Sequence, residues 1–286
     1  MKRALLAGTL AALVLAAPGA LGAGPRPAAG GPPPAVVPPG QVRKDDVAGR
    51  RPARPNAKGR ISPNPAGGRP ARCPADMVSV AGRFCIDRYE AYTVEILPGG
   101  KQGPHSPFEP VEGKRVKAMN GRGRVPQAYI SRNEAEQACR NAGKRLCSGE
   151  EWVGACKGRR PTLYPYGDDW EPGRCNDQGQ SSFNRLHGVD GGEPPQSAYT
   201  WENLNDPRLN QMDGTCAPSG RHARCRNGFK IYDMVGNLHE WTAAPAGTFR
   251  GGYYLDVQKN GSGCEYKTTH HHAKYHDYST GFRCCK

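Results

Sequence analysis

The side chains with chemistry in them are crowded into one part of this chain. All eleven cysteines lie at or after Cys73. Eleven is odd, so pairing leaves at least one thiol free, joined to another chain, or bound to something. A second concentration is His270-His271-His272 with His276. On a strand, His270 and His272 would share one face and could chelate a transition metal. Asp277 would complete a histidine and carboxylate set of the kind that holds non-haem iron. The plainer reading is a polar run of strand and loop whose histidines only form hydrogen bonds. A third feature is the segment from Asp233 to Glu240, which puts carboxylates around Gly236. Hard oxygen ligands on a glycine-containing loop are what Ca²⁺ needs. The competing reading is a loop pinned by carboxylate-to-backbone hydrogen bonds alone.

Several elements must position these groups. Met77–Val80 and Arg83–Asp87 read as short strands around a turn at Ala81-Gly82. Cys73 and Cys85 flank that hairpin and could staple it. Ser131-Arg132-Asn133-Glu134 is a capping box, and Ala135, Ala138, Cys139 and Ala142 follow at helical spacing before the stop at Gly143. Ser148-Gly149-Glu150-Glu151 starts a second helix whose apolar face is Trp152, Val153, Ala155 and Cys156, with Gly158 as its end. Each helix carries a cysteine near its C-terminal end on or beside the buried stripe, which suits structural disulfides better than reactive thiols. Beyond residue 160 the chain is rich in Gly, Pro, Asn and Asp, so long ordered loops with few strands are expected, held by staples or ions.

The first 72 residues read differently. Lys2 and Arg3, the apolar run Ala4 to Ala17, and the small residues up to Ala23 have the layout of a secretory signal, cleaved after Ala20 or Ala23. Residues 24–72 are rich in Pro, Gly, Ala and Arg and predict a disordered basic linker. Residues 1–72 hold 12 Lys+Arg and 2 Asp+Glu, a net +10 of the chain's +14, so the folded part is close to balanced. No recognised motif or aromatic-interleaved basic stripe points to nucleic acid. No other stretch is long and apolar enough for a transmembrane segment. A signal with many cysteines implies a secreted protein, periplasmic or extracellular, in an oxidising compartment. One domain, 73–286, is expected.

Within it, ordered segments carry a resemblance. They are Gly143-Lys144-Arg145-Leu146 followed by Glu150-Glu151-Trp152; Tyr164-Pro165-Tyr166-Gly167; the run from Tyr232 to Trp241; Arg250-Gly251-Gly252; and Gly281-Phe282-Arg283-Cys284. Met77-Val78-Ser79-Val80 with Ile86-Asp87-Arg88-Tyr89-Glu90 opens the set. Together they resemble the formylglycine-generating-enzyme, or sulfatase-modifying-factor, family. The resemblance implies an α+β, C-type-lectin-like fold with few regular elements, long ordered loops and several disulfides.

It also implies sites. Active members oxidise a substrate cysteine to formylglycine with copper(I) held by two thiolates, and those two positions here are Asp256 and Gly261. Neither a carboxylate nor a glycine selects Cu(I). Arg250 and Asp256 fall where the family forms its substrate groove; Arg250 could equally be a structural ion-pair partner. The resemblance places calcium on the Asp233 and Glu240 side chains and the Gly236 and Leu238 carbonyls, with a second site at Asn176, Asp177 and Asp213. It pairs Cys139 with Cys284 and Cys156 with Cys264. Cys147–Cys285 would parallel the first of these, and Cys175, Cys216 and Cys225 stay open. The reading that follows is a secreted family member that does not generate formylglycine, a calcium-stabilised domain binding a peptide, protein or glycan. The alternatives are a divergent iron- or copper-dependent oxidase, and a formylglycine-generating oxidase acting on sulfatase cysteine.

Overall fold

The computed structural model describes residues 73–269 and 271–286. The expected signal, the basic linker and His270 lie outside the described residues. No helix among the described residues is long and apolar enough to cross a membrane.

The hairpin forms as strands β1 (Met77–Val80) and β2 (Phe84–Asp87), in antiparallel register from Met77 opposite Asp87 to Val80 opposite Phe84. Ala81 and Gly82 both have positive φ, the mirror-image turn that matches strand twist. β3 (Ala91–Ile96), β4 (Gln102–Pro104) and β5 (Val116–Asn120) form a separate sheet with β3 in the middle. Helix α1 (Arg132–Asn141) starts at Ser131, whose side chain takes the Glu134 N–H while the Glu134 carboxylate takes the Ser131 N–H. Helix α2 (Gly149–Lys157) repeats that reciprocal cap with Ser148 and Glu151. Trp152, Ala155 and Cys156 face inward from α2, and Ala135, Ala138 and Cys139 from α1, as their spacing predicts.

β6 (Arg145–Leu146) joins the hairpin's sheet through β11 (Cys284–Cys285), giving the order β1-β2-β11-β6. The C-terminal strand therefore lies between the first hairpin and β6, and Cys85 and Lys286 exchange backbone hydrogen bonds of 2.8 Å. A third sheet runs β10 (Thr280–Phe282), β7 (His239–Trp241), β8 (Phe249–Arg250), β9 (Lys267–Thr268), with β10 and β7 parallel.

The loop-rich part holds two short helices that spacing did not reveal, α3 (Ser182–His187) and α4 (Trp201–Leu204). Both are capped by a hydroxyl, Ser181 and Thr200, with asparagine rather than glutamate three residues later. The reciprocal half of a capping box was thus missing from the sequence signal.

Five disulfides fasten the fold: Cys73–Cys85, Cys139–Cys284, Cys147–Cys285, Cys156–Cys264 and Cys175–Cys225. The last joins two of the three cysteines that sequence left open, and Cys216 stays unpaired. Such a framework belongs to an oxidising, non-cytosolic compartment.

Candidate functional site

The segment from Asp233 to Trp241 enters the core and ends in β7. Its backbone is unusual: Asp233, Gly236 and Asn237 all have positive φ. Gly236 has no alternative, because a Cβ there would collide with the Asn176 carbonyl oxygen. That close approach lets Asn237 N–H donate to Asn176 O at 2.9 Å.

Three carboxylates meet here: Glu90, Asp233 and Glu240, each at most 5% exposed. One fully buried guanidinium, Arg283, answers them. Arg283 Nε and Nη2 donate to the two Glu240 oxygens at 2.6 Å each, and its remaining bonds go to the Asp87, Tyr232 and Asp233 carbonyls. Trp152 Nε1 also donates to Glu240, at 2.7 Å. Glu90 accepts from Asn237 Nδ2 at 2.6 Å, from Ser219 Oγ and from the Leu238 N–H. Asp233 accepts the Gly220 N–H at 2.6 Å.

Three buried anions against one cation leave negative charge in excess. Burial, with Asp233 and Glu240 nearby, pushes the Glu90 carboxyl well above its usual range. Burial likewise raises Asp233 to about 7, against the pull of the Gly220 N–H and Arg283. Such a centre favours a proton or a cation. Asp233 and the Gly236–Leu238 loop fit a hard cation by charge and donor type. Glu240, the fourth member of the expected calcium set, has both oxygens engaged by Arg283 and Trp152.

The second expected calcium set is dispersed in its bonding. The Asn176 amide donates to Thr215 O and Asn237 Oδ1. Asp177 is buried and its carboxylate takes the Trp170 indole and the Gly173 N–H at 2.8 Å each. Asp213 is exposed, and its carbonyl accepts from Arg185. Asn176 links this region to the first centre through Asn237.

The described members of the histidine run are not on a strand. β9 ends at Thr268, because β8 offers partners only at Phe249 and Arg250, so His271 and His272 are irregular rather than on a strand. His272 is exposed and its Nδ1 accepts the Lys274 N–H. His276 is buried, bonded through Nδ1 to Asn205 Oδ1 at 2.6 Å, and edge-on to Trp201. Asp277 is taken up by Tyr275 and Ser279. No group of three His, Cys, Asp or Glu side chains converges on a metal position among the described residues.

Beside β8 lies the segment where the resemblance implies a substrate groove. Asp256 Oδ1 caps its own turn by taking the Gln258 and Lys259 N–H groups, and Oδ2 accepts from Tyr266 at 3.0 Å. Gly261 is exposed with φ of 103°, where a Cβ would stand 2.9 Å from the Glu265 carbonyl. Arg250 is half-buried and its guanidinium lies against Gly149, in the first turn of α2. It makes no ion pair among the described residues, its Nε is buried without a partner, and burial lowers its pKa.

A family model described as the sulfatase-modifying factor enzyme 1-like domain matches residues 32–286. The chain belongs to that family. The match starts ahead of the Cys73 boundary that composition suggested. Relatives include the inactive C-alpha-formylglycine-generating enzyme 2 of Mus musculus, 26% identical over 177 residues, 56% of this chain and 48% of that protein. The formylglycine-generating enzyme of Mycobacterium tuberculosis is 32% identical over 121 residues, 41% of this chain and 32% of that one. The matched segments thus span half or less of these relatives' length. Among solved structures, the Major Tropism Determinant I1 variant aligns with 13% identity and a TM-score of 0.41, covering 76% of this chain and 54% of its own. CarF aligns with 17% identity and a TM-score of 0.38, covering 71% of this chain and 85% of its own.

As a sulfatase-modifying-factor domain, the protein has an α+β, C-type-lectin-like fold, and its family motifs map onto the structural centre. Trp152 comes from the Glu-Glu-Trp motif, Glu240 from the long motif and Arg283 from Gly-Phe-Arg-Cys. Glu90 belongs to the opening motif, where nothing nearby in the sequence marks it as a site residue. Its place opposite Asn237 joins positions 147 residues apart, which no local pattern reveals.

Ten of the eleven cysteines are in disulfides. The remaining one, Cys216, is pushed well above the ordinary thiol range by burial and by Glu90 and Asp233. A thiol so placed is a poor thiolate at neutral pH.

Proposed function

We propose that this chain is a secreted, calcium-stabilised binding domain that keeps the sulfatase-modifying scaffold without its copper chemistry. One observation carries this: a single cysteine is unpaired, while two thiolates are needed to hold copper(I). Asp256 and Gly261, at the family's two thiol positions, are engaged in shaping their own loop. The test is to incubate the purified protein with copper and a Cys-x-Pro-x-Arg peptide. The expected result is an unchanged thiol; mass-spectrometric appearance of the aldehyde would reverse the reading.

The excess negative charge at Glu90, Asp233 and Glu240 supports calcium at the Asp233–Glu240 loop. Asp233 and the Gly236 and Leu238 carbonyls would hold the ion, with Glu240 contributing only while still bound to Arg283. Calcium would neutralise the centre and fix the loop. Adding a chelator should lower the melting temperature, and calcium should restore it; melting indifferent to both would remove the ion from the account.

The ligand of the groove, a peptide, protein or glycan, is expected to present an anionic group to Arg250. A half-buried guanidinium without a carboxylate partner, beside the positive end of α2, supports that polarity. Arg250→Gln should abolish binding of such a ligand while leaving melting nearly unchanged.

A further inference from the structure

A second cleft lies at the C-terminal end of α2, and its lining includes neither Arg250 nor Asp256. It has a volume of about 330 Å³ and is lined by Arg174, Arg224, Arg226 and Lys230, with Asn227 and Gly228 between them. Four lining side chains are therefore cationic and none is acidic. Arg224, Arg226 and Lys230 are exposed and make no ion pair among the described residues. Only Arg174 is paired, with Glu171 at the rim.

The cleft is built rather than incidental. The Cys175–Cys225 disulfide joins chain segments 50 residues apart and so sets Arg174 beside Arg224 and Arg226. Arg174 Nε donates to the Arg224 carbonyl, and its guanidinium stacks on Tyr166. Arg226 lies over the Tyr232 ring and donates to its hydroxyl at 3.1 Å. Lys230 is presented by a turn closed by its own N–H to Asn227 O, with φ of 61°. Buried Asn227 anchors that turn by donating to the Ala155 and Cys156 carbonyls of α2.

The domain as a whole is near charge balance, so this grouping is local. Its volume exceeds that of one oxyanion. Guanidinium forks match the tetrahedral oxygens of sulfate and phosphate esters and bind them in pairs. A disulfide-rich protein works outside the cytosol, and sulfated or phosphorylated polysaccharides present such ester groups there at regular spacing.

We propose that this cleft binds an anionic glycan through its sulfate or phosphate ester groups. The test uses the full mature chain and length-matched oligosaccharides that are sulfated, phosphate-bearing or neutral, with a polyglutamate peptide of equal charge. Arg224→Glu with Lys230→Glu alters two side chains that make no hydrogen bond among the described residues, so folding is expected to persist and is checked by melting. Arg50→Glu with Arg51→Glu removes the same charge from the basic N-terminal region. The cleft variant should weaken binding of the ester-bearing glycan by at least about tenfold at fixed salt, with a shallower salt dependence, while the N-terminal variant changes it by less than about threefold. Tighter binding of the sulfated or the phosphate-bearing oligosaccharide would name the ester. Equal losses in the two variants, equal affinity for the neutral oligosaccharide, tighter binding of polyglutamate, or no glycan binding would each overturn the proposal.

Discussion

Two regions that neighbour one another along the chain have been treated differently. The centre around Glu240 and Arg283 is a closed network: bonds from Trp152, Asn237, Ser219 and backbone N–H groups satisfy its carboxylates. The segment from Arg250 to Cys264 keeps the family's outline, but Asp256 caps its own turn and holds Tyr266, and Arg250 makes no ion pair among the described residues and leaves its Nε buried without a partner. The difference teaches that the motifs by which this family is read are mostly structural. They report the buried ion pair and the disulfide-linked strands, and say little about the reaction.

The comparison breaks first at Arg283. Arg283→Met removes the sole guanidinium facing three buried carboxylates, and should cost about 3–5 kcal/mol, because an uncompensated buried charge remains. Denaturant unfolding measures this; a change below about 1 kcal/mol would mean the network does not hold the fold. Removing Cys156–Cys264 by double alanine substitution should come next, at about 2–4 kcal/mol, since it frees the groove segment while leaving the centre intact. Disulfide mapping and urea unfolding check it.

Converting the groove segment toward its active relatives sharpens the contrast. Asp256→Cys with Gly261→Cys would supply two thiols but lose the turn cap and place a Cβ against Glu265 O. The expected outcome is a loss of about 1–2 kcal/mol and no aldehyde formation on the peptide. Product formation would show the segment to be far more adaptable than its bonding suggests.

At neutral pH the smallest expected effect is that of His239, between the two regions, and it shows itself as a pH dependence. Its ring is buried among Phe249, Tyr253 and Tyr266 with Nδ1 unpartnered, and burial lowers its pKa from 6.5 to about 3. Between those values the unfolded chain binds a proton that the folded chain does not. The contribution to stability is therefore full above about pH 6.5 and is lost as pH falls toward 3. His239→Phe should flatten that acid limb of a melting-temperature profile and leave neutral stability equal or slightly higher.

Much of the fold was legible because it depends on nearby residues. Ser131 with Glu134 and Ser148 with Glu151 carry their cap partners three positions away, and Ala81-Gly82 makes its turn alone. The Cys139–Cys284 and Cys156–Cys264 pairs, known only through family resemblance, form in the structure together with Cys147–Cys285. Alternation in the histidine run presumes a strand, and the two residues of β8 leave no neighbour for one at His271 and His272. The cationic cleft was invisible because Arg174 and Arg224 are far apart until Cys175 and Cys225 join.

By itself, the sequence determined the helix starts, the hairpin and the oxidising compartment. Those properties rest on residue type and short spacing. Only the tertiary structure decided that Glu90 shares a buried centre with Asp233 and Glu240, and that Cys216 is the thiol left unpaired. The physical reason is that burial and charge balance are sums over groups far apart in the chain, and they take a value only when the chain is folded.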